Sequence, residues 1–316
     1  MATSQPFIYL APLRGLTDAL FRDTFAHHFA GFDAAVAPFL SPQKKSLYAD
    51  KMIRDVLPQH NCGLALVPQL LHTDAEDFLV LAQRLANLGY THINWNIGCP
   101  APMVARKKRG SGILPYPEEI LELLHTIIPR LQVELSIKTR LGYFEESELP
   151  RLLPLINELK IKEIIIHTRL GKQLYKGSTN PDGFAVCQSL TDLPLVYNGD
   201  IINTATYRLL LARFPTVDRW MIGRGALMNP FIAEEIKGMS RQSTETRRTR
   251  LYTFHEDLFN KYLDRLSGPG HLLGRVKQLW SYLIASFPGQ KKQLKKILKS
   301  RDIVGYRKNI EQLFEK

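Results

Sequence analysis

Eight short apolar runs, separated by longer amphipathic stretches, constrain this chain more than any other feature of its sequence. The runs are Phe7–Ala11, Asp33–Ala37, Gly63–Gln69, Thr91–Asn96, Val133–Thr139, Glu163–His167, Pro194–Asn198 and Arg219–Ile222. Their apolar, β-branched character reads as strands. The intervening segments Asp74–Leu88, Pro117–Ile128, Ser147–Leu159 and Ala205–Ala212 read as helices. Eight such alternations within about 225 residues match the count and size of a (β/α)8 TIM barrel. A doubly wound open sheet shares the alternation, but no GxGxxG follows the first strand, which counts against it.

Past residue 235 the strand pattern stops. Leu251–Leu266, Leu272–Ser286, Gln290–Leu298 and Ile303–Phe314 have helical periodicity, punctuated by Gly268-Pro269-Gly270 and Pro288-Gly289. Residues 236–250 are polar and basic, as in a linker or a helix N-terminus. The expected organisation is an α/β barrel over residues 1–235 followed by a small all-α helical bundle over 236–316.

Charge follows the same division. Of the net +12, the last 81 residues hold +11, from 18 Lys and Arg against 7 Asp and Glu; residues 1–235 are close to neutral. Lys-rich helical surfaces do serve solubility. A neutral domain joined to one so basic points instead to a polyanion-binding module, because phosphate neutralisation supplies most non-specific nucleic-acid affinity. Truncation near residue 240 is expected to leave a folded barrel that binds RNA poorly. No apolar run reaches the roughly 18 residues that span a bilayer. The N-terminus has no basic region and no long apolar core of a secretory signal, so a cytoplasmic protein without a membrane partner is expected. Cys62, Cys99 and Cys187 are odd in number and form no CxxC pair, which argues against a disulfide framework and a cysteine zinc site. No metal is expected.

Polar side chains gather where the strands end: Gln69, Asn96, Lys138, Arg140, His167, Arg169 and Asn198. In a TIM barrel that rim builds the active site. Cys99, in Asn96-Ile97-Gly98-Cys99-Pro100, is there either an acid or nucleophile, or an inert buried thiol. Lys138 is either a solvated rim lysine or a group that stabilises negative charge developing on a flavin or an enolate. Asn198-Gly199-Asp200 and Gly223-Arg224-Gly225 follow strands seven and eight, where TIM barrels bind phosphate through backbone N–H groups. A phosphorylated cofactor is the expected occupant.

The ordered set of motifs resembles the tRNA-dihydrouridine synthase family. It runs Ala11-Pro12-Leu13-Arg14-Gly15-Leu16-Thr17-Asp18, then Asn96-Ile97-Gly98-Cys99-Pro100, Lys138-Thr139-Arg140-Leu141-Gly142 and His167-Thr168-Arg169. Tyr175-Lys176-Gly177, Asn198-Gly199-Asp200 and Ile222-Gly223-Arg224-Gly225-Ala226 complete it. Arg275-Val276-Lys277-Gln278-Leu279-Trp280-Ser281-Tyr282-Leu283 is similar to the family's tRNA-binding domain, and the tail is most like the bacterial branch acting at position 16.

The resemblance implies FMN at the barrel mouth, NADPH as reductant, and reduction of the C5=C6 bond of a uridine in the tRNA D-loop. By the same resemblance Pro12, Leu13, Gln69, Lys138 and His167 meet the flavin, while Asn198, Gly199, Asp200, Gly223 and Arg224 bind its phosphate and ribityl chain. Cys99 matches the acid that protonates C5; Asn96, Arg140 and Tyr175 match positions around the uracil. No obligate protein partner is implied. The chain departs from the family at Pro38, where relatives carry an acidic triplet, at Leu13, where Met is usual, and in the basic run Ala105-Arg106-Lys107-Lys108-Arg109. That run offers extra RNA contacts or is a solvated loop. Two other readings share parts of this pattern: an FMN-dependent barrel oxidoreductase of a small molecule, and a non-catalytic RNA-binding protein on the same scaffold. The first has no use for the +11 tail. The second has none for Cys99, Lys138 and His167 kept together with the phosphate motif.

Overall fold

The computed structural model describes residues 5–41, 50–239 and 242–315. Its parallel sheet runs through β1 (Phe7–Leu10), β2 (Ala34–Val36), β3 (Ala65–Val67), β4 (Gln69–Leu70) and β5 (His92–Ile97). It continues through β6 (Glu134–Gly142), β7 (Ile161–Leu170), β8 (Leu195–Asn198) and β9 (Arg219–Ile222). The order is β3-β2-β1-β9-β8-β7-β6-β5-β4. Because β3 and β4 are two halves of one run, the order closes on itself and the sheet is a barrel. Proline lacks the N–H a ladder needs, so Pro68 divides the third expected strand.

Strand side chains alternate between the two faces of the sheet. Tyr9, Val36, Val67, Ile165, Val196 and Met221 form a small cluster inside the barrel. Ile8, Leu10, Trp95, Ile164, Ile166 and Trp220 belong to a second, much larger core between strands and helices. The barrel helices are α1 (Ala19–His28), α2 (Ala75–Asn87), α3 (Pro102–Ala105), α4 (Pro117–Ile127), α5 (Glu148–Ile156), α6 (Pro181–Gln188) and α7 (Thr204–Arg213). The short α8 (Arg224–Met228) and α9 (Ile232–Ile236) follow β9.

The basic tail forms α10 (Thr244–Arg265), α11 (Gly268–Leu283), α12 (Lys291–Lys299) and α13 (Ile303–Phe314), all helical as expected. Two boundaries differ. Residues 244–250 belong to α10, because the Ser243 hydroxyl caps it by accepting from Thr246 N–H. Gly268-Pro269-Gly270 does not separate helices; it opens α11, with Pro269 in the first turn, where no N–H is required.

The tail is not loosely tethered. Phe254 of α10 is buried against Phe21, Phe25 and Phe29, with centroids at 5.9, 6.0 and 5.1 Å. Leu251, Leu258 and Leu279 belong to the same core as the barrel residues. At the barrel mouth, Tyr262 donates to Asp18 Oδ1 at 2.9 Å, and Arg275 donates to the Gly15 carbonyl and lies 3.6 Å from Asp18. No described helix is long and apolar enough to cross a membrane.

Candidate active site

A cavity of about 460 Å³ opens at the C-terminal rim, within the size range of small-molecule sites. Pro12, Leu13, Gln69, Asn96, Cys99, Lys138, Arg140, His167, Tyr175 and Arg224 line it. A contiguous recess at the C-terminal ends of β8 and β9 adds Asn198, Gly199, Asp200 and Gly223. All fourteen candidate residues named from the sequence therefore line one connected site.

Cys99 is placed by hydrogen bonds that force each other's direction. Asn96 Oδ1 accepts from Gly98 N–H at 3.0 Å and Cys99 N–H at 2.8 Å. Its Nδ2 therefore donates, to Gln69 Oε1 at 2.7 Å, and Gln69 Nε2 donates to Asn94 Oδ1 at 2.7 Å. Asn94 Nδ2 in turn donates to Ser136 Oγ at 2.8 Å, and that hydroxyl lies 2.8 Å from His92 Nε2. Donation thus runs in one direction, from the Cys99 loop to the base of the barrel. Gly110 packs from the other side; a Cβ there would fall 2.5 Å from the Cys99 carbonyl, and its φ is +57°. Asn94→Leu leaves the buried Gln69 amide without its acceptor, which is expected to cost about 1–3 kcal/mol. Urea denaturation checks this; unchanged stability would mean that Gln69 finds another partner.

Burial pushes the Cys99 thiol up, while Arg14, Arg140 and Lys138 pull in the other direction. The net shift is upward, so the group is a protonated thiol at neutral pH. Burial, helped by Arg140, draws Lys138 down to about 7. Its ammonium donates to Asn198 Oδ1 at 2.9 Å, and Asn198 Nδ2 donates to the Met221 carbonyl. Burial together with Arg140 and Lys138 holds His167 neutral. Arg140 is buried; its Nε donates to the Gly98 carbonyl at 3.1 Å and Nη1 to the Leu170 carbonyl at 2.7 Å. Tyr175 is half exposed at the mouth, 5.4 Å from both Arg140 and Arg224.

Asp200 occupies a left-handed backbone conformation, φ +40°. Its carboxylate pairs with Arg169 and, at 2.6 Å, with Arg224. Burial opposes ionisation here, but the two guanidinium groups hold Asp200 below the usual carboxylate range. The Asp200 side chain thus orients Arg224. The recess fits a phosphorylated flavin on two observations. A Cβ at Gly223 would lie 3.3 Å from Ala11 Cβ and 3.9 Å from Leu13 Cδ2, inside the recess. Arg14, Lys138, Arg140 and Arg224 line the cavity with no carboxylate among the lining of its wider part.

Sequence reasoning passed over Gln278 and Tyr282, which reach the same cavity from α11. Their helical spacing of four was legible, but nothing in the spacing says which wall a helix completes. In the basic run, Lys108 pairs with Glu119 at 2.5 Å and Arg109 lies 2.7 Å from His72 Nε2, so neither is simply solvated. His72, Asp74 and Asp77 offer ligand atoms within 4.8 Å of one another, but both His72 nitrogens already face N–H donors.

The fold is shared with an old yellow enzyme homologue from Zymomonas mobilis, at a TM-score of 0.52 and 12% identity over 76% of this chain and 91% of that one. A 2-naphthoyl-CoA reductase gives 0.55 and 10%, over 74% and 50%. Barrel and rim together define a TIM-barrel enzyme with its site at the C-terminal ends of the strands. Residues 9–304 match the profile of dihydrouridine synthase (Dus), and the chain belongs to that family. It is similar to the tRNA-dihydrouridine synthase B of Serratia marcescens, 30% identical over 72% of this chain and 67% of the relative. It is also similar to a probable tRNA-dihydrouridine synthase of Staphylococcus aureus (strain COL), 31% identical over 82% and 79%.

Proposed function

We propose that this chain reduces the C5=C6 bond of one uridine in the D-loop of tRNA, in the cytoplasm, with FMN as the flavin and NADPH as its reductant. A thiol at the mouth of a cavity whose charged lining residues are Arg14, Lys138, Arg140 and Arg224, with no carboxylate among them, carries this reading. When bound, the flavin supplies hydride to C6 of the uracil.

The protein's part is to hold the ring and manage charge and proton. Lys138 and Arg140 face the negative charge that spreads from C5 towards O4 on reduction. Cys99 Sγ delivers a proton to C5, and the Asn96 side chain fixes the loop that carries it. Arg140 and Tyr175, with Asn96, surround the uracil. Pro12, Leu13, Gln69, Lys138 and His167 meet the flavin ring. Asn198, Gly199 and Gly223 hold its phosphate and ribityl chain, with Asp200 acting through Arg224. Residues 236–316 dock the tRNA, since they hold nearly all the excess positive charge. The likeness of the tail favours position 16.

The test is to incubate the purified protein with FMN, NADPH and an unmodified tRNA transcript, then map dihydrouridine by mass spectrometry. Absence of dihydrouridine from D-loop positions would reject the proposal. Arg224→Ala is expected to weaken FMN binding about 10- to 100-fold, since hydrogen bonds to charged groups contribute about 1.5–3 kcal/mol. Flavin fluorescence titration measures it, and unchanged affinity would remove Arg224 from the phosphate site.

A further inference from the structure

The cavity is unbalanced in its hydrogen-bonding groups. Arg14, Lys138, Arg140 and Arg224 are donors only, and no carboxylate lines the same cavity. The acceptors of the barrel wall are already engaged. Asn96 Oδ1 takes two backbone N–H groups, Gln69 Oε1 takes the Asn96 amide, and the Gly98 carbonyl takes Arg140. His167 Nε2 faces Arg169 at 3.3 Å, and the Tyr175 ring lies against Arg140, 5.4 Å from its guanidinium carbon. Such a wall suits the two carbonyl oxygens of uracil and leaves its N3–H without a partner. An enclosed donor left unpaired is costly.

The missing acceptor comes from the helical tail. Gln278 of α11 lines the cavity, and its side chain has no hydrogen-bond partner among the described residues. Its Oε1 and Nε2 lie 3.6 and 3.7 Å from the Cβ position of Gly15. One turn earlier, Arg275 anchors α11 to the Gly15 carbonyl and Asp18, and so fixes where Gln278 stands. Tyr282, one turn later, lines the same wall.

Resting on the dihydrouridine reading, we propose that Gln278 is a substrate residue: its carboxamide oxygen accepts the N3–H of the target uracil. The tail therefore recognises the reacting base as well as docking the RNA. Gln278 is exposed to the cavity and absent from the core, so its replacement leaves the fold intact.

The full-length enzyme loaded with FMN is compared as wild type, Gln278→Leu, Gln278→Glu and Tyr282→Phe. First the wild type must reduce a uridine in an unmodified tRNA transcript; its failure there sinks the dihydrouridine reading itself. Given that activity, Gln278→Leu should lower the single-turnover rate at saturating tRNA about 10- to 100-fold, the value of an unpaired buried donor. Its tRNA dissociation constant and flavin content should hardly move. Gln278→Glu, which keeps an acceptor, should recover most of the rate. A second transcript carries 3-methyluridine at the reduced position. It should slow the wild type similarly and Gln278→Leu no further, because both changes remove one contact. A wild-type rate in Gln278→Leu, a defect confined to tRNA affinity, additive losses with 3-methyluridine, or a loss in Tyr282→Phe alone would each overturn the assignment.

Discussion

Cys99→Ala is expected to keep its flavin and its oxidation of NADPH while forming dihydrouridine about 10²–10⁴-fold more slowly, the usual worth of a positioned general acid. Cys99 is not among the residues lining the recess at the ends of β8 and β9, so cofactor retention is not expected to depend on its thiol. Its loop is fixed through backbone N–H groups and the Ser111 contacts to the Cys99 carbonyl, all of which survive loss of Sγ. Cys62 is exposed and Cys187 lies in the core, both outside the site; alanine at either should leave turnover intact apart from packing losses at Cys187. The measurement is reoxidation of the reduced enzyme by tRNA in a single turnover, across the three variants. A wild-type rate in Cys99→Ala would mean that the proton reaches C5 by another route.

Deletion of residues 240–316 is expected to give an aggregating barrel rather than a soluble yellow one. The charge division of the sequence suggests a removable module, but charge is a surface property and does not report on what lies beneath it. Removing α10 uncovers Phe21, Phe25 and Phe29 together, a contiguous apolar patch of the kind that drives association. It also frees Asp18 and the Gly15 carbonyl from Tyr262 and Arg275. The milder form of the same test is Phe254→Ala, which should destabilise the whole chain by about 3–5 kcal/mol in one cooperative transition. A monomeric, flavin-binding fragment on gel filtration would show that the two parts fold independently after all.

The barrel was legible because its strands are fully covered on both faces and therefore read as continuous apolar runs. Their ends were less so. β6 and β7 continue to Gly142 and Leu170, past the expected Thr139 and His167, because Arg140 and Arg169 are polar residues kept inside the ladder by backbone and carboxylate partners. The rim residues could be named because a TIM barrel places strand C-termini at its active site. What each does was not legible. The ion pairs of Asp200 could not be read, because its two arginine partners lie 31 and 24 residues away in sequence. Gln278 lay in a quoted motif but carried no mark of the cavity, since the wall it completes is made by Gly15, 263 residues earlier.

The seam at Gly15 bears on how the protein is made. The loop after β1 is locked by Arg275 and Tyr262, which are added only when more than four-fifths of the sequence has been read. Until then the wall beside Pro12 and Leu13 has no partner, and the pocket lacks one of its sides. A nascent chain therefore carries Asn198, Asp200, Gly223 and Arg224 before Arg275 and Gln278 complete the wall of the neighbouring cavity.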